Sequence, residues 1–163
     1  MGIKRLAGGR EAPRMLKNFS PHLSADLLWT LKSMGHGEDL LICDGNHPAG
    51  TIAKTTVSGR IIEAPGLDIP QAVAAVLTVF PLDTFVEAPV TRMEVVGDPG
   101  KQLPIFAEVQ ALCDAAEGNP VTMAALERFA FYAAAGKAFA VLRTSEFRPY
   151  GCFLFKKGVI FPA

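Results

Sequence analysis

Residues 34 to 48 read Met-Gly-His-Gly-Glu-Asp-Leu-Leu-Ile-Cys-Asp-Gly-Asn-His-Pro. A histidine between two glycines precedes a short apolar run, and the run ends on Asp44 inside a Gly/Asn/Pro loop. An apolar run of this length, bounded by turn residues, reads as a strand buried on both faces, the kind found in a parallel sheet covered by helices. In such sheets ligands collect at the carboxyl ends of strands, where Asp44 stands. This one segment argues for an α/β fold and attaches a candidate site to it.

The flanking sequence supplies the covering helices. Ser20-Pro21 and Ser24-Ala25-Asp26 are helix starts, Leu27, Leu28, Leu31 and Met34 recur at helical spacing, and Gly35 stands where a left-handed cap is wanted. The segment 45–53 reads as turn-rich, and a short extended piece is expected within 55–64. A helix is predicted over 68–80, with Asp68 as cap and Pro70 in its first turn. There follow a strand over 90–96, a helix over 103–116 ending near Glu117-Gly118, a helix over 126–135, and strands over 138–144 and 151–155. This order predicts a single α/β domain over 15–163, a central mostly parallel sheet flanked by helices with antiparallel strands at the end of the chain. Residues 1–14 are basic and lack the apolar core of a signal peptide, so they read as a flexible N-terminal extension.

Charge excludes two classes of partner. Sixteen Lys and Arg balance sixteen Asp and Glu, which leaves no global field to draw the chain to nucleic acid or to a membrane surface. The three cysteines, Cys43, Cys113 and Cys152, are odd in number and form no CxxC pair, an arrangement that fits a reducing cytoplasm better than a disulfide framework. Half the residues are hydrophobic and mean hydropathy is +0.27 without any long apolar run, which predicts apolar surface buried against other subunits.

His36 is the natural proton carrier, since an unperturbed imidazole titrates near pH 6.5. The competing reading is an exposed histidine between a helix cap and a turn. Asp44, ending a buried run, is either a ligand-binding carboxylate beside which His36 can stand at one end of the sheet, or a loop cap accepting from nearby amides. Arg128 and Tyr132, four apart, share one helical face, as two donors toward a ligand or as part of a solvated surface. His36, Asp44 and His47 lack the spacing of a metal motif, and no metal site is expected. Dinucleotide, P-loop and nucleophile-elbow motifs are absent from the sequence.

Four stretches then act together. They are Met15-Leu-Lys-Asn-Phe-Ser-Pro21; Met34-Gly-His-Gly-Glu-Asp39 with Asp44-Gly-Asn-His-Pro-Ala49; Arg128-Phe-Ala-Phe-Tyr132 with Lys137-Ala-Phe-Ala140; and Tyr150-Gly151 with Lys156-Lys-Gly-Val159. In order and spacing, from residue 15 to about 159, the chain resembles the RbsD/FucU sugar mutarotases, in particular their fucose mutarotase branch. The resemblance implies the RbsD-like fold and interconversion of the α and β anomers of a free monosaccharide, L-fucose or a related pyranose. It implies His36 as the catalytic proton donor and acceptor, with Asp44, Arg128, Tyr132, Tyr150, Gly151 and Cys152 at the substrate. It further implies no metal or organic cofactor and a homo-oligomeric ring, commonly a decamer, with sites completed at subunit contacts.

Two positions depart from the family pattern: Cys152 replaces an Asn and His47 replaces a Phe, so the particular sugar is less determined than the reaction. The chemistry suits the residues. Mutarotation needs one proton removed from the anomeric hydroxyl and one delivered to the ring oxygen, a task in which positioned acid–base groups give roughly 10²–10⁴-fold. The alternatives are a ribose-type pyranase, a monosaccharide-binding accessory protein of an uptake system without turnover, and a purely structural ring protein.

Overall fold

The computed structural model describes residues 15–162, so the extension expected at 1–14 lies outside the described residues. Helix α1 (Ala25–Ser33) begins where Ser24 caps it, the serine Oγ accepting from the Leu27 amide at 3.2 Å. Its end departs from expectation. Gly35 does not take the left-handed cap; Met34 turns extended, and the Lys157 ammonium donates to the carbonyls of Leu31 and Met34, satisfying acceptors that a helix end leaves open. The left-handed residue is Gly37, at φ +81°.

Strand β1 (Asp39–Cys43) follows, Leu40 to Cys43 fully buried as the apolar run requires. Helix α2 (Ala49–Ala53) falls in the segment read as turn-rich. Gly50 and the β-branched Thr51 and Ile52 give it poor propensity, but burial of Ala49, Ile52 and Ala53 against the sheet holds it. Strand β2 (Ile61–Ala64) leads to α3 (Ile69–Leu77), which Asp68 and Gln71 start with a reciprocal capping box. Strand β3 (Val90–Met93) and α4 (Pro104–Glu117) come next, the helix closed by Gly118 at φ +71°.

The spacing did not anticipate β4 (Met123–Leu126). Met-Ala-Ala-Leu favours a helix, but parallel pairing with β3, from Val90 opposite Met123 to Met93 opposite Leu126, overrides that propensity. Helix α5 (Arg128–Ala135) therefore starts two residues later than predicted, capped by Glu127, whose carboxylate accepts from the amides of Phe129 and Ala130. Strands β5 (Ala140–Thr144) and β6 (Cys152–Lys156) finish the chain.

The sheet order is β2-β5-β1-β6-β3-β4. Neighbours run parallel except at β6, which is antiparallel to β1 and β3. The antiparallel element expected at the end of the chain is thus β6, and it lies inside the sheet rather than beside β5. Alternate residues of β1, β5 and β6 go to opposite faces. Leu40, Ile42, Leu142, Phe153 and Phe155 pack with α1, α3 and α4, while Leu41, Cys43, Val141, Cys152 and Leu154 pack with α2 and α5. At about 1.5–3 kcal/mol for each large side chain buried, these two cores hold the sheet between its helices. Because β6 is reversed, its first residues join the carboxyl ends of β1, β3, β4 and β5, and its last residues join their amino ends.

Candidate active site

The carboxyl end of the sheet gathers most of the predicted residues. The Asp44 amide donates to the Gly151 carbonyl at 2.7 Å, which ties the loop after β1 to the loop before β6. Asp44 is almost fully buried and accepts from the Asn46 amide at 2.9 Å. Burial raises its carboxyl above the ordinary aspartate value, with the nearby Glu146 charge adding to the rise and the amides of Asn46, His47 and Gly151 opposing it.

Tyr150 sits at φ +63°, and its hydroxyl accepts from the Val96 amide at 3.0 Å, which anchors a backbone conformation that side chains rarely adopt. Gly151 is needed for close approach. A Cβ there would stand 3.2 Å from Asp44 Cβ and from Glu146 Cγ, and 3.3 Å from Ile105 Cδ1. Cys152 lies one residue further, fully buried on the α2/α5 face, and burial pushes its thiol well above the ordinary range. Arg128, the first residue of α5, lines a cavity of about 210 Å³ with Glu94, Val95, Val96, Gly97 and Pro99. Its guanidinium lies over Phe129 at 4.7 Å, and its Nε is buried without a hydrogen-bond partner among the described residues. Tyr132 is one helical turn further along, its ring 5.4 Å from that of His47.

His36 is elsewhere. It precedes β1 whereas Asp44 follows it, and five strand residues at about 3.3 Å each separate them by roughly 16 Å. The expectation that His36 and Asp44 share one end of the sheet does not hold within a chain. A glycine-flanked histidine eight residues before an aspartate meets it only if the chain folds back, and here the intervening residues run straight as β1. Nor can His36, Asp44 and His47 converge on one ion within a chain.

At the amino end His36 has its own partner. Its Nε2 lies 3.1 Å from Oδ1 of Asp83, whose side chain is buried while the imidazole is 46% exposed. Burial alone would raise the Asp83 carboxyl, but the Phe85 amide and His36, helped by Lys156, bring it below the ordinary value. An ionised carboxylate only accepts, so Nε2 carries the hydrogen toward Asp83, and Nδ1 is the ring nitrogen left to exchange a proton. Phe85 packs edge to face on His36 at 5.2 Å and on Phe161 at 6.1 Å, and both phenylalanines are exposed. A cavity of about 480 Å³ lies beside Phe19, Leu31, Pro81, Lys157 and Ile160; its predominantly apolar lining does not suit a sugar.

Sequence reasoning missed Asp83 and the pair Glu146–Arg148. Asp83 follows the Pro81 that ends the α3 segment, 47 residues from His36, and only the topology joins them. Glu146, nearly fully buried, accepts from Arg148 at 2.9 Å, and the same guanidinium forks onto Glu108 at 3.0 Å. Arg148 holds the Glu146 carboxyl down at about 2, and the Ile69 amide at the start of α3 assists. The Glu146 carbonyl accepts from the Gly45 amide, so this half-buried pair braces the Asp44 loop.

The comparisons bear directly on this arrangement. The model of the RbsD/FucU transport protein family matches residues 17–160, nearly everything described above. The chain belongs to the RbsD/FucU family. Within the family it is 42% identical over 149 residues to the fucose mutarotase of Mus musculus, spanning 89% of this chain and 95% of the relative. The L-fucose mutarotase of Histophilus somni is 34% identical over 145 residues, spanning 89% and 97%. Among solved structures, the fucose mutarotase of Streptococcus pneumoniae in complex with L-fucose superposes with a TM-score of 0.79 at 31% identity, covering 90% of this chain and all of that one. The family assignment and the α/β architecture therefore agree with the resemblance read from the four motifs.

Proposed function

We propose that this protein is a monosaccharide mutarotase acting on L-fucose or a closely related pyranose. The observation that carries the reading is the His36–Asp83 pair: an exposed imidazole oriented through Nε2 by a buried carboxylate, which leaves Nδ1 for the substrate. Two relatives that share most of this chain's length at 34–42% identity are named fucose mutarotases.

In the proposed reaction His36 Nδ1 accepts the proton of the anomeric hydroxyl while solvent water delivers a proton to the ring oxygen, its hydroxide taking back the proton that His36 then releases. The C1–O5 bond breaks and the open aldehyde forms. Rotation about C1–C2 presents the other carbonyl face, O5 adds back, and both protons return. The steps are proton transfers and a reversible addition, balanced without an electron acceptor or a covalent enzyme intermediate. Asp44, Arg128, Tyr132 and Tyr150 hold sugar hydroxyls or wall the pocket, and Gly151 lets the Asp44 loop close against them.

A sugar spans far less than the roughly 16 Å that separates His36 from Asp44 in one chain. The complete site accordingly takes His36 and Asp83 from one subunit and the Asp44 cluster from its neighbour. The exposed Phe85 and Phe161 around His36, and the exposed Phe129 beside Arg128, supply apolar rims for that contact. A closed ring, the decamer expected from the family resemblance, satisfies this requirement. Three free, buried cysteines agree with a cytoplasmic setting, and among the described residues no helix is long and apolar enough to cross a membrane.

The test is anomeric exchange by NMR on L-fucose, D-ribose, D-galactose and D-glucose, with wild type, His36→Ala and Asp44→Asn. His36→Ala should lose roughly 10²–10⁴-fold in exchange rate, and Asp44→Asn should slow exchange through weaker sugar binding. Refolding the two variants together in equal amounts should restore about one site in four, because a quarter of interfaces then pair an intact His36 with an intact Asp44. Binding of a sugar without faster exchange in wild type would leave an accessory binding protein, and failure of the mixture to regain activity would overturn the shared site.

A further inference from the structure

His47 stands in the loop that carries Asp44, its amide donating to the Asp44 carbonyl at 3.3 Å. Its side chain turns inward and the residue is 8% exposed, with the ring edge to face against Phe131 at 6.0 Å and Tyr132 at 5.4 Å. In that aromatic setting Nε2 is buried and has no hydrogen-bond partner among the described residues. An apolar ring would fill the same place between Phe131 and Tyr132 without that unmet demand. Buried polar atoms are as a rule paired, and one left over calls for a reason.

The orphan is not isolated. The other buried side-chain atom without a partner among the described residues is Nε of Arg128, one helical turn before Tyr132 on α5. Both unpaired atoms thus belong to residues around Tyr132, at the end of the sheet that holds Asp44. A ligand rich in hydroxyls is what such a pair needs. A hydroxyl both donates and accepts, so it satisfies Nε2 in either tautomer of the neutral ring, whereas a methyl or methylene satisfies neither.

We propose that His47 is a substrate-contacting residue of this site, its Nε2 taking one hydroxyl of the bound monosaccharide, and that it determines which sugar is accepted. The proposal rests on the mutarotase reading for the identity of the ligand class, and it goes beyond that reading by assigning a specificity role to a residue adjoining the cluster. Burial keeps the ring neutral at physiological pH, its pKa held down at about 4, so the contact is a neutral hydrogen bond and not an ion pair. Sites that hydrogen-bond a substrate hydroxyl reject the analogue lacking it far more strongly than apolar pockets discriminate by size.

The experiment compares L-galactose with its monodeoxy derivatives, including the 6-deoxy sugar L-fucose, in the full-length wild type, His47→Phe and His47→Gln. Anomeric exchange gives turnover and saturation transfer gives binding for each sugar. Wild type should disfavour one monodeoxy sugar by about tenfold or more relative to the parent, as loss of a hydroxyl contact requires. In His47→Phe that preference should collapse to within about twofold, and His47→Gln, which restores a polar atom, should recover part of it. A merely structural role for His47 would lower all sugars together and leave the ratios unchanged, and that result overturns the proposal. If wild type binds the sugars without accelerating exchange, the mutarotase reading fails while the binding ratios still decide the role of His47. If it binds none of them, both fail.

Discussion

Replacing His47 by Phe should change how stability depends on pH, and the size of the change follows from the burial of the ring. Burial holds the folded-state pKa at about 4, against 6.5 for the solvated side chain. As pH falls from 6.5 the unfolded chain takes up a proton that the folded chain refuses, so the unfolded state is favoured. Stability is therefore full above pH 6.5 and is lost progressively as pH falls through 4. A separation of about 2.5 pH units, at about 1.4 kcal/mol each, comes to about 3 kcal/mol, most of it lost by pH 4.5. His47→Phe removes this dependence and also removes the unpaired Nε2, worth about 1–3 kcal/mol in its own right. Denaturant unfolding of both proteins at pH 7.5 and pH 4.5, at one protein concentration because assembly contributes to stability, isolates the effect. The variant should be the more stable at both pH values, and the gap should widen by about 2–3 kcal/mol at the lower one. Groups the substitution does not touch, Glu146 among them, contribute equally to both proteins and cancel. Parallel pH curves would refute the reasoning, since they would mean that the ring is solvated or hydrogen-bonded in the folded protein.

Glu146→Gln should cost about 3 kcal/mol at pH 7, because Arg148 holds the carboxyl near 2 against 4.5 unfolded; that stability is present above pH 4.5 and is lost as pH falls toward 2, so the acid limb of the variant should flatten in this window. Gly151→Ala must push on Asp44, Glu146 and Ile105 at once, with an expected loss of about 1–3 kcal/mol in denaturant unfolding and weaker sugar binding by titration; an unaltered affinity would show that the Asp44 loop tolerates the shift. Asp83→Asn keeps the shape beside His36 and removes the charge that fixes its tautomer, so exchange should slow by about tenfold or more, with an altered pH profile and unchanged KM. A fall in kcat together with a rise in KM would make Asp83 a determinant of the interface instead.

The fold was legible where local chemistry and tertiary demand coincide. The uninterrupted Leu40–Cys43 run can be satisfied only by cover on both faces, and Ser24 and Asp68 cap the helices that provide it. What escaped was decided by distant pairing. Met123–Leu126 becomes a strand because β3 offers it a ladder, and β6 enters the sheet between β1 and β3, an outcome its own residues do not announce. The site divides in the same way. The order of the motifs brought Asp44, Arg128, Tyr132 and Tyr150 to one end, but Asp83 has no local signature, and its meeting with His36 depends on the turn after α3. The unpaired Nε2 of His47 was equally invisible, since a histidine in a Gly/Asn/Pro loop reads as exposed until Phe131 and Tyr132 close over it.

The separation of His36 from Asp44 has a reason in the sheet itself. Strands β1 and β6 are antiparallel neighbours, clamped at one end where Gly37 donates to the Lys157 carbonyl at 2.8 Å and at the other where Asp44 donates to the Gly151 carbonyl at 2.7 Å. The pair is a rigid rod through the centre of the molecule, with His36 on one tip and the polar cluster around Asp44 on the other. No motion of a side chain bridges the two, and bending the rod would tear the ladder that joins both cores. The tips are chemically unlike, one an imidazole ringed by Phe85 and Phe161, the other a set of hydrogen-bonding groups beside Phe129, so like tips do not complement each other. A site that needs both must join unlike tips of successive subunits. Unlike tips meet either reciprocally about a two-fold axis or head to tail around a ring, and in either closed arrangement every tip is part of a complete site. The proposed mechanism thereby ties catalysis to assembly through the position of a single strand.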